Sequence, residues 1–375
     1  MNRYPEETIE LFHALLRSAI STGETVRLPE SEETIRTVLA LGKAQNVLLL
    51  ICYGIEKNDG IIPDEFKKDR IKALYHYAQN EYALKIAKDT LEDGQIPYVP
   101  LKGATIKNLY PEQWMRQCID IDILVHDKDI ENAVLKLEKA GFKTNRNREY
   151  HDVSLYYGDA HLELHFSICE NIPRIDTVLD HIWKYTEHIS EYEYGEVNEF
   201  FAFHNVAHML YHFLRGGCNI KPFVDLWILR HNNIYDEKKL QPLLSACKLE
   251  QFYQVICEFT DCIFTGGHQT ELFQKIETQI LSGGITQRNE DSDRISIRVT
   301  GSLKKYIFKS IFLPRREMEW IYPTLRKHPI LLLYYYNKRL ITKTVGKEKK
   351  RVKDVLKAHK KPTDEMEKLL IKMGL

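Results

Sequence analysis

Asp120 and Asp122 stand two residues apart in the segment Ile119–Val125, where aspartate alternates with isoleucine or leucine. Successive side chains of a β-strand point to opposite faces, so this spacing projects both carboxylates from one face. Two like charges held side by side cost free energy until a cation neutralises them. Hard oxygen donors of this kind suit Mg²⁺, which takes one or two carboxylates and fills its shell with water and substrate phosphates. Two such ions, roughly 3.5–4 Å apart, clamp the attacking and leaving oxygens of an in-line displacement. Glu163 is the best third carboxylate: it sits mid-strand between Leu162 and Leu164 and shares a face with His161 and His165. A D-x-D alone also fits a solvated strand face, so the surrounding residues carry the decision.

Lys102-Gly103 closes the run IPYVPLKG and opens a helical stretch. Free backbone N–H groups and the helix dipole favour a phosphate at such a point, and glycine allows close approach to the backbone. Arg116, shortly before Asp120, is able to pair with a triphosphate through two parallel hydrogen bonds. His165 reads either as a substrate contact or as a hydrogen-bonded structural histidine. Arg215, beside Gly216-Gly217 and with Asp225, either lines a nucleotide cleft or ends a helix at a simple turn. His204, His208 and His212 recur every fourth residue and share one helix face. Helical histidine pairs at that spacing can bind zinc, but no HExxH-type glutamate accompanies them. Buried or interdomain histidines near the sheet are the preferred reading.

These residues need a strand–helix scaffold, and the hydrophobic patterning supplies one. Residues 1–95 read as helices, with Leu11, Leu15 and Leu16 at helical spacing and a long amphipathic segment from about Glu65 to Asp93 that stops at Gly94. Residues 96–170 read β-α-β-α-β-β, with strands in IPYVPLKG, IDIDILV, VSLYY and HLELHF. The last two are joined by Gly158-Asp159, a pair that suits a tight hairpin. The helix between Asp127 and Gly141 carries apparent capping aspartates at its start. Residues 171–300 return to helix, including Asn198 to Leu214, with a polar loop expected over Ser282 to Ser296. Residues 301–375 form a basic, aromatic-containing region. In Ile321 to Tyr336, core helix packing is preferred over a membrane-surface or acceptor-binding role. The fold class is α+β: a small mixed β-sheet core flanked by N-terminal and C-terminal helical regions.

The 375 residues carry 53 Lys or Arg against 53 Asp or Glu, but the charge is uneven, with 20 basic and 7 acidic residues from Gly301 onward. Such an end can meet an anionic surface or RNA phosphates, or be a solvated helical tail. Seven scattered cysteines without metal-ligand spacing read as free thiols. Neither a signal peptide nor an apolar run of membrane-spanning length is seen, so a cytoplasmic location is expected.

Leu101-Lys102-Gly103, Arg116, the strand Asp120–Val125 and Leu162-Glu163-Leu164-His165 together resemble the polymerase-beta-like nucleotidyltransferase superfamily. There a glycine-containing strand–helix turn precedes a D-x-D strand, and a third acidic residue follows. More narrowly the chain is similar to a bacterial group described as uncharacterised nucleotidyltransferases, with L-K-G in the turn, an Arg before D-I-D-L-L-V, and L-E-L-H later. The likeness continues through FFAFHNVAHMLYHFLRGGCNIKPFVDLWIL and reaches about Arg339. Lys102 replaces the small hydroxyl residue of the superfamily's G-S turn. The resemblance implies that Asp120, Asp122 and Glu163 are catalytic and hold two Mg²⁺ ions. Lys102, Gly103, Arg116, His165 and Arg215 complete the set read as nucleotide-binding. Glu163, or Asp122 acting through an ion, would help deprotonate an acceptor hydroxyl. That oxygen would attack the α-phosphorus of an NTP and release pyrophosphate. The acceptor (small molecule, peptide or RNA) stays open. A catalytically silent nucleotide-binding or interaction protein and an RNA-directed transferase are the competing readings.

Overall fold

The alternation in Ile119–Val125 forms the strand expected of it, and the sheet around that strand sorts the apolar residues into two cores. The computed structural model describes residues 4–21, 24–145, 152–214, 218–282, 308, 311–313, 315–322, 324–344 and 365–375. Four helices come first: α1 (Glu6–Ile20), α2 (Glu32–Ala44), α3 (Leu48–Lys57) and α4 (Asp64–Asp93). Ser31 caps α2, its hydroxyl accepting the Thr34 N–H at 3.3 Å, and Gly94 follows the last turn of α4 as expected. Next come β1 (Tyr98–Pro100), the one-turn α5 (Gly103–Ile106), β2 (Asp120–Val125), α6 (Ile130–Lys139), β3 (Lys143–Thr144), β4 (Asp152–Tyr157) and β5 (Ala160–His165). They are followed by α7 (Pro173–Leu179), the hairpin β6 (Thr186–His188) and β7 (Tyr194–Glu196), α8 (Asn198–Leu214), α9 (Lys221–His231), α10 (Glu237–Ala246), α11 (Glu250–Thr265) and α12 (Glu271–Ser282). Last are α13 (Arg315–Ile321), α14 (Thr324–Lys327), α15 (Leu332–Thr344) and α16 (Glu365–Lys372). The fold is mixed α+β.

The five-stranded sheet runs β1-β2-β5-β4-β3. Only β2 and β5 are parallel within it; the other three pairings are antiparallel. Gly158, with φ +59°, turns the chain from β4 into β5 through the expected two-residue connection. One face of the sheet, carrying Ile121, Ile123, Leu155, Leu162 and Leu164, packs on Leu84, Ala87 and Leu91 of α4 and Ile130, Ala133 and Leu137 of α6. Full burial of such a side chain contributes roughly 1.5–3 kcal/mol. On the opposite face Val99, Leu101 and Leu124 join a larger core made by α1–α3 and α7–α12 together. The acidic residues lie on that second face, which places them between the sheet and the helical half.

Several features differ from the sequence reading. The sheet gains β3, a two-residue edge strand. A second, two-stranded sheet, β6–β7, forms where only helix was expected; it leads into β1's outer edge, where the Tyr98 N–H donates to the Tyr192 carbonyl at 2.9 Å. The start of α6 is a 3-10 turn over Asp127–Asp129, and Asp129 makes no side-chain cap bond. In the basic region, Met318 and Leu325 are buried, but Ile330, Leu333 and Tyr334 are exposed, so core packing accounts for only part of Ile321 to Tyr336. Arg326 reaches Glu131 of α6 at 2.6 Å. The expected loop falls, at residues 283–296, outside the described residues. Among the described residues no helix is long and apolar enough to cross a membrane, and all seven cysteines are free.

Candidate functional site

The parallel register of β2 and β5 sets Asp120 beside His161, Asp122 beside Glu163 and Leu124 beside His165. On the far side of β5, β4 places Ser154 opposite Glu163 and Tyr156 opposite His161. Alternation therefore gathers Asp120, Asp122, His161, Glu163 and His165 on one patch of one face. The sequence identified these residues separately; the register brings them together. His161 Nε2 lies 3.1 Å from Ser154 Oγ, and its ring stacks on Tyr156. Two groups have ligand atoms all within 4.8 Å of one another: Asp120, His161 and Glu163, and Asp122, Glu163 and His165. They share Glu163, and these carboxylate and histidine groups could hold a metal ion.

The charges within the patch are unequal. Burial, with the Asp122 and Glu163 carboxylates, raises the Asp120 pKa above its ordinary value, while Lys102 and Lys221 pull it partly back. Burial acts the same way on Asp122, but the Lys102 ammonium and the His165 hydrogen bond outweigh it and hold Asp122 far below the usual carboxylate range. Burial opposes protonation of His165, yet hydrogen bonds to Asp122 and Glu163 push its pKa up to about 10. His165 Nε2 therefore donates to Asp122 Oδ1 at 2.8 Å, with Glu163 Oε2 at 3.5 Å. Glu163 is pushed up by burial, but the His165 hydrogen bond brings it below its ordinary value overall. Asp120 is thus the member on which burial and the neighbouring carboxylates outweigh the lysines. That is the condition a divalent cation relieves, and the hard carboxylate donors fit Mg²⁺.

Lys102 reaches this patch through a strained turn. The Leu101 N–H donates to the Asp122 carbonyl at 3.0 Å, which ties the turn to β2. Lys102 itself has φ +41° and ψ −106°, a conformation costing about 1–3 kcal/mol for a residue with a side chain. Burial works against its charge, but Asp122, Glu170, Asp120 and Glu163 raise its pKa. The following helix differs from expectation. It is a single turn of four residues, and the Ala104, Thr105 and Ile106 amides donate to the Leu101 and Lys102 carbonyls. Positive charge at the turn therefore comes from the Lys102 ammonium more than from a helix terminus. Gly103 has a packing reason as well, since a Cβ there would lie 2.4 Å from Cys118 Sγ and 2.8 Å from Arg116 Nη1. Gly103→Ala is expected to destabilise the protein by about 1–3 kcal/mol. Urea unfolding checks this, and an unchanged midpoint would show that the turn is looser than this contact implies.

Arg116 is placed differently from its sequence reading. Its guanidinium is buried and engages Asp225 through Nε at 3.2 Å and Nη2 at 2.7 Å, and the Tyr110 hydroxyl donates to the same carboxylate at 2.7 Å. The physical reason is charge pairing: a buried guanidinium takes the buried carboxylate that neutralises it. Arg116 thus fastens the approach to β2 onto α9 rather than facing the patch with both edges free. Arg215, with Gly216 and Gly217, lies outside the described residues. His204, His208 and His212 are on α8 as expected. His204 Nδ1 meets Glu196 at 3.0 Å, His208 Nδ1 meets Glu170 at 2.8 Å, and His212 Nε2 meets His208 Nε2 at 2.9 Å. Two residues escaped the sequence reading. Lys221 opens α9, donates to the Gln117 carbonyl at 3.0 Å and acts electrostatically on Asp120. Glu170 follows β5 and acts on Lys102. Neither carries a local signal, because each meets the site only through the packing of distant elements.

With the geometry established, comparison with known families is decisive on one point. A family model described as "Uncharacterised nucleotidyltransferase" matches residues 31–265, well over half of the chain. The chain belongs to this family. The match runs from the cap of α2 to the end of α11 and so includes every described residue of the patch. Nucleotidyltransferase membership supports nucleotidyl transfer as the general chemistry of this family member. No curated protein and no solved structure matches the chain.

Proposed function

We propose that this nucleotidyltransferase family member moves a nucleoside monophosphate from an NTP to an acceptor hydroxyl with Mg²⁺ and releases pyrophosphate. The observation that carries the reading is the β2–β5 register, which sets Asp122 beside Glu163 with Asp120 on the same face. Asp120, Asp122 and Glu163 would hold the ion or ions, Glu163 being common to both groups of candidate ligands. Bound there, Mg²⁺ would supply charge stabilisation and alignment for an in-line displacement at the α-phosphorus. His165, bonded to Asp122, fixes the orientation of that carboxylate. Lys102 and Lys221 both act electrostatically on Asp120, and their positive charge suits the negative charge gathering on departing pyrophosphate. Gly103 lets the turn after Lys102 pack closely on Cys118 and Arg116.

The acceptor would be a small molecule, a peptide or RNA. The basic region beyond Gly301 is suited to an anionic partner. Pyrophosphate release from each NTP, with cell extract as the source of acceptors, tests the reading. Release that depends on Mg²⁺ and stops with EDTA is expected. NTP binding without release would instead support a catalytically silent nucleotide-binding protein.

A further inference from the structure

Helix α15 is held on one side and exposed on the other, and its exposed side is largely apolar. The held side carries Tyr335, Tyr336 and Arg339. The Tyr336 hydroxyl donates to the Leu313 carbonyl at 2.6 Å, and Arg339 Nε donates to the Ile311 carbonyl at 3.2 Å. Tyr335 stacks on Tyr322, with ring centroids 4.1 Å apart. Leu333, Tyr334 and Ile341 fall on the other side at helical spacing, and they are 73%, 60% and 61% exposed. Ile330, in the turn that leads into the helix, is 86% exposed. Single exposed apolar residues are ordinary, but a run of them along one face marks a surface that meets a partner.

The polar residues among them turn back onto their own helix. Asn337 Nδ2 donates to the Leu333 carbonyl at 2.9 Å, and the Thr342 hydroxyl donates to the Lys338 carbonyl at 2.9 Å. Each donor is thus occupied within the helix, which lowers the cost of taking this face out of water.

Charge selects the partner. Residues 324–344 hold Arg326, Lys327, Lys338, Arg339 and Lys343 and no Asp or Glu. Residues 345–364 add eight Lys or Arg against three Asp or Glu. Lys327, shortly before Ile330, and Lys338, one turn after Tyr334, are both exposed. An apolar helix face edged by lysines suits an anionic bilayer, where acyl chains take up the side chains and headgroups take up the charge. A second copy of this chain fits less well, because a symmetric contact brings two sets of the same cations together. RNA fits less well too: Ile330 and Leu333 offer a base no ring to stack on, and Tyr322 and Tyr335 already stack on each other.

We propose that the exposed face of α15 is a docking surface for an anionic phospholipid bilayer. Ile330, Leu333, Tyr334 and Ile341 enter the boundary between headgroups and acyl chains, and Lys327 and Lys338 meet the phosphates. The proposal is independent of the transfer reading, since it concerns another part of the chain and its test measures binding alone.

In that test the full chain is sedimented with vesicles of phosphatidylcholine alone and with vesicles of equal parts phosphatidylcholine and phosphatidylglycerol. Binding to the mixed vesicles only, weakening as salt is added, is expected. Ile330→Ser/Leu333→Ser should weaken it on the order of 10-fold or more. Lys327→Gln/Lys338→Gln should do the same, since each cation near such a surface contributes about fivefold. These positions are exposed, so the melting temperatures of both variants should match wild type. Tyr334→Trp should add an emission that shifts to the blue when mixed vesicles are present. If the serine variant melts lower than wild type, that shift decides alone. Failure of wild type to bind the mixed vesicles overturns the proposal. So does undiminished binding by Ile330→Ser/Leu333→Ser, or the absence of a blue shift, either of which leaves only adsorption of basic sequence. Retention of poly(U) RNA in place of the vesicles would assign the face to RNA. A concentration-dependent dimer lost in Ile330→Ser/Leu333→Ser would assign it to a second copy, and both outcomes overturn the lipid reading.

Discussion

Asp120→Asn and Asp122→Asn are each expected to abolish transfer yet to shift stability in opposite directions. On the proposed reading each carboxylate would hold the ion, and its loss would remove several kcal/mol of transition-state stabilisation, on the order of 10³-fold in rate. Stability follows different neighbours. Asp120 is raised in pKa by burial and by the Asp122 and Glu163 carboxylates. A carboxyl whose folded pKa lies above its unfolded value opposes folding wherever it is ionised. Its amide replacement should therefore raise stability in EDTA at neutral pH by about 1 kcal/mol, a gain of the size found when a strained functional group is removed. Asp122 is the reverse case: despite burial, Lys102 and the His165 hydrogen bond lower its pKa. Its ionised form stabilises the protein at neutral pH, and that contribution is lost as pH falls through its folded value. Asp122→Asn should cost roughly 1–3 kcal/mol, since it leaves the His165 donor with a weaker partner. Denaturant unfolding of both variants in EDTA checks the pair. Equal destabilisation of the two would show that Asp120 is not repelled by its neighbours.

Arg116→Ala should produce the largest loss of stability of any single change discussed. Its side chain and that of Asp225 are 9% and 3% exposed, so neither charge has water to replace its partner. Removing one member of such a pair costs about 3–5 kcal/mol, because the other remains buried and uncompensated. Tyr110 also loses a neutralised acceptor for its hydroxyl. Replacing both charged residues, as Arg116→Met with Asp225→Leu, should recover most of the loss. Denaturant midpoints for the two single variants and the double decide it. A single variant within about 1 kcal/mol of wild type would contradict this account of Arg116.

What the sequence revealed depended on how locally each feature is encoded. Asp120 and Asp122 were legible because alternation over a few residues determines the face they share. Glu163 was legible as a member of another alternating strand, but its place beside Asp122 is a property of the β2–β5 register. The pairing of Arg116 was hidden for the converse reason. Its position before β2 suggested a phosphate contact, whereas its partner Asp225 lies 109 residues away. Lys221 and Glu170 reach the patch only through long-range packing of the same kind. The long helices carry several turns of periodic apolar residues, and α4 and α8 were visible on that ground. β3 has two residues, and β6 and β7 have three each, too few for a period of two to register. The α5 turn was recognised as a strand-to-helix junction, but its length was not, because nothing in GATI shows that the helix ends there.

Parallel reactions with α-labelled and γ-labelled NTP test the central claim most directly, using wild type and Asp120→Ala/Asp122→Ala with Mg²⁺ and cell extract. The account predicts that wild type places the α-label on an acceptor and the γ-label in pyrophosphate, and that the double variant does neither. The γ-label on the acceptor, or undiminished α-label transfer by the double variant, would contradict it.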